Sequence, residues 1–263
     1  MSTPRIGFLL SLVFVLISFT SLRAEEKPGA LIVVGGGGLP KSITERFLEL
    51  GGGKETRLVV IPTASSKPDS DEVLISRWKK RGAAEVTVLH TTDREVANSE
   101  AFVVPLKDAT AVWIGGGSQS RLSDAYQGTA VEKELIALVA RGGVVAGTSA
   151  GAAIQTKVMI AHSNPVPVIA TGLDLLPGAI VDQHFLARNR MNRLLNAVQQ
   201  HPTLVGIGID EATAIEVHGQ ECRVLGNSFV VVVRSEGAGK WPNIQSYNKG
   251  ESFSLAPESE ESQ

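Results

Sequence analysis

Residues 143–155 read Gly143-Val144-Val145-Ala146-Gly147-Thr148-Ser149-Ala150-Gly151-Ala152-Ala153-Ile154-Gln155. An apolar strand-like run meets a helix-compatible run through Gly-x-Ser-x-Gly. In that context the pattern predicts a nucleophile elbow, a sharp turn that lifts a serine above the edge of a sheet. Such a turn holds the serine in a strained backbone conformation, so its neighbours must be small. A helix starting behind it favours developing negative charge. Ser149 is the candidate nucleophile.

The same strand-then-helix rhythm runs outward in both directions. Strands are expected at 30–34, 57–62, 86–90, 111–114, 143–146 and 205–209. Helical spacing is expected over 71–81, 129–140 and 188–200, the last with Leu194, Leu195 and Val198 on one face. Near-continuous apolar strands alternating with helices predict a mostly parallel sheet covered on both faces, in an α/β fold. Strand-like stretches at 214–217 and 228–233 suggest antiparallel edge strands near the end of the chain.

A serine nucleophile needs a base. Of the five histidines, His184 is the best placed: it ends the apolar run Ile180-Val181 in Asp182-Gln183-His184-Phe185, and strand ends of this kind are where sites of open α/β sheets collect. The base needs an orienting acid, and Gly208-Ile209-Asp210-Glu211 ends another strand with two. Adjacent residues on an extended chain point to opposite faces, so one of Asp210 and Glu211 fills the role, and spacing alone does not choose.

Two glycine runs flank these elements. Gly115-Gly116-Gly117-Ser118-Gln119 follows the 111–114 strand and allows a close backbone approach, with N–H groups available to an oxyanion. Gly35-Gly36-Gly37-Gly38-Leu39-Pro40-Lys41-Ser42 approaches a phosphate-binding loop but places proline where glycine is needed, which removes a donor, so no nucleotide cofactor is expected. Arg188, Arg190 and Arg193 follow His184 and suit substrate carboxylates. On a regular helix, however, positions 188 and 190 lie about 200° apart.

Over 263 residues, 43% are hydrophobic, 20% charged and 5% aromatic, with a net charge of −2. This is the balance of an ordinary globular chain, and it argues against a nucleic-acid partner. Residues 1–24 place Arg5 before an apolar stretch that is shorter than a membrane span and ends at Leu22-x-Ala24, which predicts a cleaved signal peptide, a secreted product in the periplasm or outside the cell, and no membrane contact afterwards. The single cysteine, Cys222, precludes an internal disulfide. One domain over 25–250 and a disordered acidic tail over 251–263 complete the expected organisation.

Gly147-Thr148-Ser149-Ala150-Gly151-Ala152-Ala153, the segment 180–195 and Gly206-Ile207-Gly208-Ile209-Asp210-Glu211-Ala212 closely resemble cyanophycinases, a serine-peptidase family that also contains dipeptidase E. The resemblance extends through Ile61–Ser66 and 175–185, and departs from the family pattern at Ser118 and Ala212. It implies a three-layer α/β/α sandwich like that of class I glutamine amidotransferases. It also implies a Ser149, His184, Glu211 triad, oxyanion donors at Gly117 and Ala150, and substrate contacts from Gln119, Asp182, Gln183, Arg188, Arg190 and Arg193. The implied activity is cleavage of the poly-aspartate backbone of cyanophycin to β-Asp-Arg dipeptides, without metal or cofactor; the chain is compatible with a homodimer but does not reveal its oligomeric state. An aspartyl or isoaspartyl dipeptidase and a catalytically inactive binding protein are the alternatives.

Overall fold

Along β1 (Ala30–Val34) side chains alternate between two cores, and this alternation sets the layers. Leu31 and Val33 belong to one buried cluster, with Val59, Ile114 and Val145 from neighbouring strands. Ile32 and Val34 belong to another, with Val60, Trp113, Phe47 and Trp78. Apolar residues at every position of a strand therefore mean helices on both faces of the sheet.

The structure is a computed structural model that describes residues 29–163 and 166–257. The expected signal peptide and residues 258–263 of the expected tail lie outside the described residues. After β1 come α1 (Lys41–Leu50), β2 (Arg57–Ile61), α2 (Asp71–Lys80), β3 (Glu85–Val88), α3 (Arg94–Ala97), α4 (Glu100–Asp108) and β4 (Ala111–Ile114). Then follow α5 (Gln119–Tyr126), α6 (Ala130–Ala140), β5 (Val144–Thr148), α7 (Ala150–Ala153), β6 (Val158–Ser163), β7 (Pro167–Thr171) and β8 (Ala179–Gln183). The remainder is α8 (Met191–Gln200), β9 (Val205–Ile209), β10 (Thr213–His218), β11 (Glu221–Gly226), β12 (Val230–Arg234), β13 (Asn243–Tyr247) and β14 (Ser252–Ser254).

The main sheet has the order β14-β11-β10-β1-β5-β4-β2-β3. Its β1-β5-β4-β2-β3 portion is parallel, and β10, β11 and β14 extend it antiparallel. On one face, α1 and α2 bury Phe47 and Trp78 beside Trp113, with ring centroids 5.0–5.6 Å apart. On the other, Leu135 and Leu138 of α6 and Ala152 and Ala153 of α7 pack on Val33 and Val145. The expected mostly parallel sheet between helical layers is present.

One part of the expectation needs correction. The strands that end at His184 and Asp210 do not join the main sheet. β8 and β9 pair in parallel within a second sheet, ordered β13-β12-β9-β8. Its inner residues, Val181, Ile207 and Val232, share the main core, while Ile180, Val231 and Val233 pack under Leu194 and Val198 of α8. Apolar strand composition signals burial on both faces and says nothing about which sheet a strand enters.

The disordered tail placed over 251–263 also starts too early. Ser252–Ser254 form β14 against β11, and the Leu255 N–H donates to the Gln220 carbonyl at 2.8 Å. Phe253 and Leu255 are the apolar residues that anchor this edge, both buried in the main core.

Candidate active site

Ser149 lies between β5 and α7 with φ 53° and ψ −109°, outside the allowed regions for an ordinary residue. Strain of this kind costs about 1–3 kcal/mol and persists only where the surroundings enforce it. The glycines on either side explain how it is enforced. A Cβ on Gly147 would lie 2.0 Å from the Gly151 carbonyl oxygen, and one on Gly151 would lie 2.2 Å from that of Ile114. The Ser149 N–H donates to the Val34 carbonyl at 3.0 Å, which ties the turn to the end of β1.

His184 follows β8, also with positive φ, and its N–H donates to the Gly35 carbonyl at 2.7 Å. Its Nε2 is 2.9 Å from Ser149 Oγ. Its Nδ1 is 2.6 Å from Glu211 Oε1. With the Nδ1–H donated to the carboxylate, Nε2 is left as an acceptor for the serine hydroxyl proton. Glu211 therefore holds the position that spacing left open, and Asp210 does different work: its Oδ1 accepts the N–H groups of Leu186 and Ala187, each at 3.1 Å. The two neighbouring carboxylates do separate, but in a turn after β9 ends at Ile209 and not by the alternation of an extended strand.

The four-glycine run is part of this site, a role the phosphate-loop comparison did not suggest. A Cβ on Gly36 would lie 2.3 Å from the His184 ring, and one on Gly37 2.7 Å from Glu211 Oε2. The Ala212 N–H donates to the Gly36 carbonyl at 2.9 Å. The loop is thus the wall on which base and acid rest, and only glycine leaves room for both. Four glycines directly after a buried strand were the available signal.

The second glycine loop passes beside the nucleophile: a Cβ on Gly116 would lie 3.4 Å from Ser149 Cβ. Gly117 has φ 143° and presses on the Ala64 carbonyl, to which Ser118 N–H donates at 2.9 Å. Thr63, just before, is anchored by a 2.5 Å hydrogen bond between its hydroxyl and that of Tyr126. Ser118 Oγ, at the position that departs from the resembled pattern, accepts the Arg121 N–H and caps α5. Ala150 is the first residue of α7, where a helix leaves backbone donors without partners inside it.

The expected substrate residues divide. Asp182 is fully buried, and Arg193 grips its carboxylate from two nitrogens, the Nε–Oδ2 bond at 2.7 Å. Arg190 lies 3.6 Å from the same carboxylate and donates to the Gln183 carbonyl at 2.5 Å. Burial pushes the Asp182 carboxyl up from its usual range against the pull of Arg193, and lowers Arg190 to about 10. Two guanidiniums around one carboxylate leave net positive charge. Gln183 Oε1 is buried with no hydrogen-bond partner among the described residues.

Gln119 and Arg188 stand apart from this group. The Gln119 amide donates to the Ile160 and Ala161 carbonyls, tying α5 to β6. Arg188 is exposed. The helix expected from 188 begins only at Met191, because positive φ at His184 and Asn189 breaks the segment between. That break lets Arg190 and Arg193 converge and sends Arg188 outward.

Residues 31–225 match the family model described as Peptidase family S51. A cyanophycinase from Synechococcus elongatus is 36% identical over 231 residues, spanning 82% of this chain and 71% of the relative. One from Nostoc sp. (strain PCC 7120) is 37% identical over 230 residues, spanning 81% and 76%. The crystal structure of a peptidase from an acI-B1 Actinobacterium superposes with a TM-score of 0.67 at 25% identity, covering 87% of this chain and 98% of that one.

Proposed function

The chain belongs to peptidase family S51 and is a serine-type peptidase; from that premise we propose that it hydrolyses the poly-aspartate backbone of cyanophycin, releasing β-Asp-Arg dipeptides. In this reading Ser149 Oγ attacks the aspartyl carbonyl while His184 takes its proton. Glu211 holds the imidazole and stabilises its charged form. The proton then passes to the leaving amine, and water repeats the cycle to release the acid. The N–H groups of Gly117 and Ala150 receive the oxyanion.

The observation that carries the chemistry is the continuous chain from Ser149 through His184 to Glu211, at 2.9 and 2.6 Å. The substrate assignment is supported by the cyanophycinase relatives. It is also supported by the net positive charge of Arg190 and Arg193 around Asp182, two residues before His184, which suits the free carboxylate of an arginyl arm. Arg193 orients Asp182 in this reading, and Arg190 faces the ligand. Export belongs to the proposal too, resting on the sequence of residues 1–24. Cell fractionation tests it, and retention of the full-length chain in the cytoplasm overturns it.

The test of function is incubation of purified residues 25–263 with insoluble cyanophycin and mass spectrometry of the soluble products. Release of β-Asp-Arg by the wild type and not by Ser149→Ala is the expected result. A folded protein that reacts with a serine-directed probe but releases nothing would move the substrate to other aspartyl or isoaspartyl peptides.

A further inference from the structure

The wall formed by the glycine loops has a second side. A cavity of about 320 Å³ opens there, lined by Gly37, Gly116 and Thr148 together with Arg77, Trp78, Arg81 and Trp113. Three of these residues are shared with the active site. Gly37 abuts Glu211, Gly116 abuts Ser149, and Thr148 precedes it in the chain. The Asp182–Arg193 ion pair stands on the second sheet and α8, whereas this cavity lies at the mouth of the α1/α2 layer. Ser149 therefore adjoins this cavity through Gly116 and Thr148, and the His184 strand through its hydrogen bond to the imidazole.

The cavity's charge is unbalanced. Arg77 and Arg81 are four residues apart on α2 and its C-terminal end, a spacing at which like charges repel. Arg77 has Asp69 at 2.7 Å. Arg81 lies over the Trp78 ring, 5.0 Å from its centroid, and makes no salt bridge among the described residues. Burial and the charge of Arg77 both depress its pKa. Two cations against one exposed carboxylate leave the rim of the cavity net positive, and guanidinium forks match carboxylates.

We propose that this cavity is a second substrate subsite, in which Arg77 and Arg81 hold the carboxylate of the side arm carried by the unit on the leaving side of the scissile bond. The assignment rests on the substrate reading given above: each cyanophycin unit bears an arginyl arm with a free carboxylate, and cleavage between units presents two arms, one to each side of Ser149.

The test uses two soluble two-unit substrates that differ only in the arginine of the leaving unit, one with a free carboxylate and one with a carboxamide. Wild type, Arg77→Gln, Arg81→Gln and the double variant are compared. Neither side chain is in the core and glutamine keeps much of its length, so circular dichroism is expected to be unchanged in each variant and is measured alongside the kinetics. The wild type is expected to show a KM roughly tenfold lower for the carboxylate than for the amide, the double variant no preference, and the single variants values between. Equal KM for the two substrates in the wild type, or a preference that survives in the double variant, overturns the subsite. A wild type that labels with the serine probe yet cleaves neither substrate refutes the cyanophycin reading itself and the subsite with it, an outcome distinct from a lost preference.

Discussion

Gly36 and His184 approach so closely that no β-carbon fits between them: it would lie 2.3 Å from ring Cε1 and 2.5 Å from Nε2. Gly36 also has φ 105°, a conformation that L side chains rarely adopt. Gly36→Ala is therefore expected to displace the imidazole from Ser149. The expected result is a loss of about 100-fold in kcat/KM with circular dichroism unchanged, since small misplacements of catalytic groups cost that much. Retained activity would mean that the ring position is not set by the loop.

Glu211 and Asp210 are adjacent but should give separable phenotypes. Glu211→Gln removes the charge that faces His184 Nδ1 and is expected to lower kcat by about three to four orders of magnitude while leaving the melting temperature nearly constant. Asp210→Ala removes the acceptor for two backbone N–H groups and should lower stability by about 1 kcal/mol with a smaller effect on kcat. Parallel kinetics and thermal melts on the two variants distinguish the roles, and a reversed pattern would exchange them.

Arg193→Met leaves the Asp182 carboxylate buried with only Arg190 nearby. Breaking a buried pair from one side costs about 3–5 kcal/mol, and neutralising the abandoned partner recovers part of the loss. Urea unfolding should find Arg193→Met strongly destabilised and the Asp182→Asn, Arg193→Met double variant less so. Additive losses would contradict the coupling.

Between α1 and β10, Arg46 donates two hydrogen bonds to the Glu216 carboxylate, at 2.8 and 2.6 Å, and so holds it below the ordinary glutamate value of 4.5. A depressed carboxyl pKa gives stability that is fully present above the unfolded value and is lost as pH falls through the folded one. Stability should thus decline below about pH 4.5, and Glu216→Gln should flatten that decline. An unchanged slope in denaturation curves between pH 5 and pH 3 would assign the acid limb to other groups.

The parts of this molecule that local chemistry dictates were legible in the chain. Gly147-Thr148-Ser149-Ala150-Gly151 forms the strained turn its composition predicts, because a Cβ at 147 or 151 would meet a carbonyl oxygen near 2 Å and only glycine avoids that. Val33 and Val34 read as a strand buried on both faces because each face has its own core. Three things were hidden because they depend on distant partners. The membership of β8 and β9 in a second sheet is set by pairing across the chain. The break at Asn189 that redirects Arg188 is a tertiary constraint, and it overrides the helical pattern expected of 188–200. Gln119 resembles a ligand contact in sequence, yet its amide ends on two carbonyls of β6, whose nearness no local pattern encodes.

Ser149 follows a strand of the main sheet, His184 follows a strand of the second, and Glu211 lies in the turn that joins β9 of the second sheet to β10 of the main one. The seam between the sheets is therefore where the catalytic groups are brought together. A nascent or half-folded chain carries a serine and an imidazole with only their ordinary reactivities, and becomes a hydrolase when the two sheets dock. Recovery of turnover during refolding would then report the closing of that seam.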